Sequence, residues 1–362
     1  MRFKIWIGEK SFKNVKPKLE ALYKKSKNAN PFIHPEWIYP WWEIYGGSRT
    51  PVILSIEDEN EDLILASAFT SVPGIAATGL WPMGYQTIDY VDPICNQSID
   101  DVRGAFEDGL EALLNVFPFI WLPLVREKLY QSFFLPFLEH DSVHSICRGA
   151  ATRSLIKLPE DNVDKFIKKK LGTKNNTTLR YRERKLKEFG NIEYSIYQTK
   201  DEVSKIIPEI KKIENKSWKN DAGVGLFSLT GTPEFYNDAL PLMAEAGRVM
   251  ISTLTADGTV IAYELAFLQD DTYCMHNLAY DPAFQKGSPG RYLMVKNIKT
   301  AVNKGFKVFD FMQGTQEYKE DFLTHKEPIK EISLFKKSMK GYINYKVISF
   351  VQNKRKQKAA KK

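Results

Sequence analysis

A chain of 362 residues, 43% hydrophobic and 13% aromatic, can bury two cores, and this excludes a disordered ground state. The formal charge of +8 is concentrated in two places. Lys168 to Lys187 nets +8 and Val351 to Lys362 nets +6, so the remainder is mildly acidic and a basic nucleic-acid-binding face is not expected.

Cys95, Cys147 and Cys274 lie far apart without CxxC or histidine spacing, which argues against a disulfide framework and a zinc site. The N-terminal MRFKIWIGEKSFKN lacks the apolar core of a signal peptide, and no apolar run reaches the roughly 18 residues of a membrane span. A cytoplasmic protein is expected. The basic tail reads as a solvated C-terminus or as a peripheral contact with an anionic membrane surface.

In chain order, the aromatic cluster Trp37, Tyr39, Trp41, Trp42 and Tyr45 reads as an N-terminal core helix or as a sugar-stacking surface. Pro51 to Glu57 and Leu63 to Ser71 predict two strands about a polar turn, and Tyr85 to Ile94 a third. Ile99 to Val116 has helical period, Phe119 to Val125 predicts a short buried strand, and His144 to Leu158 another. A helical stretch (Val163 to Phe189), a strand (Ile192 to Tyr197) and a long helix through Trp218 follow. The order then repeats. Val249 to Thr255 and Val260 to Leu268 flank the hairpin turn Ala256-Asp257-Gly258-Thr259, and Thr272 to Tyr280 is a third strand. Arg291 to Lys304 is an amphipathic helix with Met294, Ile298, Ala301 and Val302 on its apolar stripe. Lys307 to Met312 and Ile329 to Lys336 are the last strands. The third strand of each half ends alike, Tyr90-Val91-Asp92-Pro93 and Ala279-Tyr280-Asp281-Pro282, and the repeated order points to duplication of one fold. The expected domains are residues 1–162, residues 163–345 and a basic tail at 346–362.

The most informative stretch joins the strand ending at Asp281 to the helix through Gln285-Lys286-Gly287-Ser288-Pro289-Gly290. A strand, a glycine loop and a helix offer free backbone N–H groups and a helix dipole to a phosphate. Pro289 presets the first turn, and Gly287 and Gly290 permit close approach of the main chain to a ligand. Lys286 and Arg291 add positive charge. Neither a Walker loop nor a GxGxxG fingerprint is present. In isolation the loop also reads as a tight turn capped by Ser288; its place after the third strand of a βββαβ unit favours the phosphate cradle.

Ala279-Tyr280-Asp281, Ser288-Pro289-Gly290, Asp310-Phe311, Gly314 and Tyr318-Lys319 together resemble the GNAT-type acetyltransferase domain of CelD-like polysaccharide-biosynthesis proteins, a family related to the FemAB aminoacyltransferases. Weaker echoes at Phe32 to Trp42, Arg180 to Gly190, Trp218, Phe235-Tyr236, and Asp257-Gly258 with Ala262 extend the resemblance over residues 30 to 340. It implies an α/β fold of two tandem GNAT-like units, mixed sheets flanked by helices, with the acyl donor in the second. It places an acyl-CoA pyrophosphate on Gly287, Ser288, Pro289, Gly290 and Arg291, beside Lys286. The pantetheine arm would lie between splayed strands near Leu278, Ala279 and Tyr280. The equivalent loop of the first half, Pro93 to Ser98, lacks glycine, so that half is expected to bind no cofactor and to shape the acceptor cleft.

Acyl transfer needs a base for the nucleophile, donors for the oxyanion and a proton for the thiolate. Glu264 sits in an otherwise apolar strand and His276 on its neighbour; alternation aims both at one face, as a base pair or as ordinary half-buried sheet residues. Asp310 is a charge in a very apolar strand, catalytic or capping the loop beyond it. By resemblance to the FemAB relatives, Lys319 stabilises the oxyanion or binds a substrate phosphate, and Tyr318 protonates the thiolate; the bland reading is a solvated lysine and a packing tyrosine. The basic Lys168 to Lys187 is a solvated helix face or holds a polyanionic acceptor.

The leading expectation is an acyltransferase, acetyl-CoA or another acyl-CoA its donor and no metal its cofactor, acting on an amine or hydroxyl of a glycan, lipid-linked or cell-envelope precursor. The alternatives are FemAB-like transfer from aminoacyl-tRNA to a peptidoglycan precursor, the one reading in which nucleic acid is a partner, and a non-catalytic GNAT-like scaffold.

Overall fold

The computed structural model describes the backbone of all residues except 27–29, 75–76, 161, 315–316 and 360–362, and the side chains except, in addition, 171–179, 317–318 and 352–359. The chain forms two compact units, one made of residues 1–151 and 327–362 and the other of residues 152–326.

In the first unit, strand β1 (Arg2–Ile7), helices α1 (Glu9–Lys25) and α2 (Pro35–Tyr45), and strands β2 (Pro51–Glu57), β3 (Leu63–Val72), β4 (Gly79–Pro82) and β5 (Ile94–Cys95) precede helix α3 (Ile99–Val116) and strand β6 (Phe119–Arg126). Strand β7 (Val143–Lys157) follows. The sheet order is β1-β2-β3-β4-β6 and then the late strand His325–Lys336, with β5 pairing β3. Phe106, Leu110 and Leu113 of α3 pack on Leu54, Leu80 and Ile120 to build the core. Trp37, Trp41 and Trp42 are buried, and Tyr39 stacks on Phe12 at 4.2 Å, so the aromatic cluster is core. The third strand is Gly79–Pro82; the segment Tyr85 to Pro93, expected to be extended, is turn and loop. Burial explains this: Thr87 and Asp89 are turned inward, and the Thr87 hydroxyl donates to the Gly84 carbonyl at 2.8 Å to close a local turn.

In the second unit, helix α4 (Val163–Lys187), strand β8 (Ile192–Tyr197), helices α5 (Lys200–Lys216), α6 (Trp218–Asp221) and α7 (Thr232–Glu245) lead to strands β9 (Val249–Ala256), β10 (Thr259–Gln269) and β11 (Thr272–Tyr280). Helix α8 (Pro289–Asn303) and strand β12 (Val308–Gln313) complete it. The sheet runs β7-β12-β11-β10-β9-β8. In both units three antiparallel strands are followed by a crossover helix and a strand parallel to the third, β4 with β6 and β11 with β12. The fold is mixed α/β, with helices flanking each sheet.

The boundary differs from the expected residue 162. The strand expected to close the second half, Ile329 to Lys336, pairs instead with β6 of the first unit, Ile332 opposite Leu122 and Phe335 opposite Phe119. The end of β7 fills the corresponding place beside β12, Ile156 opposite Phe309. Backbone groups of a strand pair with either antiparallel neighbour, so nothing local distinguishes the two pairings. The expected role of the basic tail falls on side chains 352–362, outside the described residues.

Candidate active site

Strands β11 and β12 are hydrogen-bonded only from Thr272–Val308 to Cys274–Asp310. Beyond that they part, and among the described residues Asn277 to Tyr280 of β11 pair with no strand but β10. The polarity of that open edge follows from the register. The Asp281 amide donates to the Ile261 carbonyl at 2.9 Å, so alternation makes Ala279–Tyr263 the next hydrogen-bonded pair. The N–H and C=O groups of Leu278 and Tyr280 therefore point away from β10, into the fork left by β12.

At the end of the fork the chain turns through a short 3-10 segment, Pro282–Gly287, capped by Asp281, whose carboxylate accepts from the Ala283 amide at 3.0 Å and from Lys216 at 2.7 Å. Ser288 adopts a left-handed conformation, φ 50°, and helix α8 begins with no side-chain cap and no acidic residue in its first turn. The first turn of a helix leaves its amides without internal partners, here those of Gly290 and Arg291. Helix α3, the counterpart in the first unit, is capped by Ser98 and carries Asp100 and Asp101 in its first turn, an arrangement that opposes an anion.

The glycines serve a purpose other than the expected one. A Cβ on Gly287 would come within 2.6 Å of the Leu186 side chain, and one on Gly290 within 2.9 Å of Leu278 and 3.1 Å of Tyr280. They let α8 lie tightly between α4 and β11. Arg291 is engaged with Asp321 at 2.5 Å and lies over Phe322, whereas Lys286 is exposed.

Glu264 and His276 do not share a face. Glu264 is fully buried on the α8 side, accepting from the Tyr273 hydroxyl at 2.7 Å. Burial pushes its carboxyl up to about 8, with Asn297 and Tyr273 hydrogen bonds opposing. Asn297 in turn accepts from Tyr194 at 2.7 Å and donates to Ser252 at 2.8 Å. His276 contacts Tyr236 of α7 at 3.3 Å and packs on Phe267, on the opposite face. The register shifts between the Leu265–Asn277 and Ala266–Met275 pairs, which leaves His276 as the extra, bulged residue of β11.

Asp310 is fully buried, paired with Arg153 at 2.8 Å and capping the Met312 amide at 2.8 Å. Met312 has φ 58°, a left-handed residue that turns β12 out of the sheet. Lys319 is buried and donates to the carbonyls of Phe311 and Gln313 at 3.0 and 3.2 Å, tying down the same bend. The side chain of Tyr318 lies outside the described residues.

A second polar cluster, not foreseen from the sequence, stands on the α5–α6 side of the fork. Glu214 of α5 accepts from the Tyr263 hydroxyl at 2.6 Å, from Asn277 at 2.9 Å and from the Leu226 amide at 2.9 Å. Asn277 also receives the amine of Lys219, which donates in addition to the outward carbonyl of Leu278 at 2.8 Å. Burial lowers the Lys219 pKa, opposed by the Glu214 charge. The sequence signal, had it been used, is a buried acid on the apolar face of an amphipathic helix.

Among the described residues no cluster of three or more potential metal ligands occurs, and no helix is long and apolar enough to cross a membrane.

Similarity to known proteins agrees with this geometry. No curated protein matches the chain. Among solved structures the fold is similar to that of FemX (TM-score 0.58, 9% identity, 88% of this chain and 95% of that one). It is similar to the C-terminal domain of a putative lysylphosphatidylglycerol synthetase from Agrobacterium fabrum (0.55, 12%, 89% and 91%). L-PGS from Bacillus licheniformis shares it too (0.54, 11%, 93% and 96%). Residues 173–320 match the model of the acetyltransferase (GNAT) domain, a span lying wholly inside the second unit and containing the fork and the uncapped helix start.

Proposed function

We propose that the second unit transfers an acyl group from acyl-CoA to an amine or hydroxyl. The carrying observation is the fork itself: the outward N–H of Leu278 and the N–H and C=O of Tyr280, on an edge that β12 has left, the Leu278 carbonyl being held by Lys219. Such an edge complements an amide-bearing chain like pantetheine, which adds to it as a short strand would. The uncapped start of α8, with Lys286 exposed nearby, suits the pyrophosphate. The capped, acid-bearing start of α3 supports a first unit that contributes no donor site.

The acceptor is proposed to be a glycan or another cell-envelope precursor, in keeping with the fold shared with FemX and with lysylphosphatidylglycerol synthetase domains. A second reading, aminoacyl-tRNA as donor, rests on the exposed Arg180, Arg184 and Lys187 of α4; salt-dependent tRNA binding lost on neutralising them is its test.

Calorimetry with acetyl-CoA and with CoA tests the leading reading. Both bind in the expected outcome, and Lys286→Glu weakens each about tenfold, the order of one phosphate-directed charge reversal at a partly screened site. Absence of binding by the unmodified protein refutes the reading.

A further inference from the structure

The acyl-CoA reading leaves open which group removes the proton from the attacking amine or hydroxyl. Three of the carboxylate and imidazole candidates are accounted for by other work in the fold. Glu264 is sealed beneath α8 against Tyr273. Asp310 is consumed by Arg153 and the Met312 amide. His276 is turned to Tyr236 and Phe267, away from the open edge.

Lys219 is different. Its amine reaches the Leu278 carbonyl at 2.8 Å, and that carbonyl is one of the groups directed into the fork. Both of its hydrogen-bond acceptors, Asn277 Oδ1 and Leu278 O, are uncharged, and no ion pair engages it among the described residues. A neutral amine has two N–H donors and one lone pair. Here both donors are taken, and the lone pair is left on the remaining side. The arrangement is held rigidly. Asn277 Nδ2 donates to Glu214 and to Tyr263, each at 2.9 Å, which fixes the amide so that its oxygen faces Lys219. Ser217, at the break between α5 and α6, accepts from the Lys219 amide and sets the direction in which the side chain leaves the helix.

Resting on the acyl-CoA reading, we infer that Lys219 is the general base of the transfer, its lone pair accepting the acceptor's proton at the open edge of β11. As the acceptor's nitrogen or oxygen bonds to the thioester carbon, its proton passes to Lys219 Nζ. The C–S bond then breaks, and the ammonium so formed returns the proton to the sulfur, releasing CoA as the thiol and restoring the amine. No other co-reactant is required. Burial without a contacting carboxylate lowers the lysine's pKa and so populates the neutral form nearer to neutral pH.

The test uses the full chain with acetyl-CoA as donor and ethanolamine, which offers an amine and a hydroxyl, as surrogate acceptor, followed as thiol release. Lys219→Met and Lys219→Arg are compared with the unmodified protein, folding being checked by thermal melts, and acetyl-CoA affinity is measured on each by calorimetry. Expected are a loss in kcat of about 10²-fold or more for both variants, acetyl-CoA affinity within about twofold, and disappearance of the rising limb of the pH–rate profile that deprotonation of Lys219 gives below the ordinary lysine range. Imidazole restores part of the rate to Lys219→Ala, which a merely structural lysine does not predict. Variants within about threefold of the unmodified rate, an unmodified protein that binds acetyl-CoA yet transfers nothing, or an acetyl group found on Lys219 by peptide mass spectrometry each overturn the assignment while leaving the donor site standing. Absence of acetyl-CoA binding refutes the donor site and the base together.

Discussion

Glu264→Gln separates a structural carboxyl from a catalytic one. Glu264 is fully buried and its carboxyl is pushed up to about 8 from an ordinary 4.5. A carboxyl whose pKa is higher folded than unfolded takes up a proton on folding, so stability falls as pH rises from about 4.5 to about 8 and is level beyond. At about 1.4 kcal/mol for each pH unit the whole effect is about 5 kcal/mol, of which about 4 kcal/mol falls between pH 5 and pH 9. Glutamine mimics the protonated acid and keeps an acceptor for the Tyr273 hydroxyl. Urea melts followed by circular dichroism across that range are expected to show the variant gaining on the unmodified protein as pH rises, with its acetyl transfer little changed. Parallel stability curves for the two proteins refute the buried, proton-holding role, and a loss of transfer at unchanged stability returns Glu264 to the catalytic candidates.

Three further outcomes follow from packing and charge. Arg153→Met leaves the fully buried Asp310 carboxylate without its cation and is expected to cost about 3–5 kcal/mol in denaturant melts; adding Asp310→Asn recovers most of it. Gly287→Ala forces a methyl to within 2.6 Å of Leu186, an overpacking cost of about 1–3 kcal/mol that Leu186→Ala partly relieves. Glu214→Gln, which removes the charge that Tyr263, Asn277 and the Leu226 amide surround, is expected to lower the thermal midpoint and to move the rising limb of the pH–rate profile to lower pH, because that charge favours protonated Lys219.

Elements whose stabilisation is local were legible. The hairpin at Asp257-Gly258, with φ 46° and 79°, is specified by two residues that tolerate left-handed backbone. Helix α8 is announced by Pro289 and by its apolar spacing. The exchange of closing strands was not legible, because Ile329 to Lys336 and Thr152 to Lys157 both mix apolar and polar residues and nothing in either selects its sheet. Tyr85 to Ile94 misled for a related reason. Ile88, Tyr90 and Ile94 are buried, but burial alone does not separate a strand from an inward-packed loop whose hydrogen bonds are satisfied by side chains.

The site divides along the same line. The phosphate-directed corner, Lys286 to Arg291, is contiguous and could be read from spacing. The faces of the sheet could not. Without a bulge, Glu264 and His276 have the same parity and face the same layer. The one extra residue in β11 turns His276 to the face that Asn277 already occupies, away from Glu264, where unbroken alternation would set it opposite Ala266. That one residue takes the imidazole away from the acid, while pairing with Leu265 keeps Asn277 on the α5–α6 side, where a lysine 58 positions earlier in the chain meets it. The proton-accepting end of the fork is thus a product of register. Removing the extra residue His276 is expected to restore an unbroken β10–β11 ladder with Asn277 still opposite Leu265, so that acetyl transfer followed as thiol release survives; loss of transfer in a folded variant that still binds acetyl-CoA refutes this reading of the register.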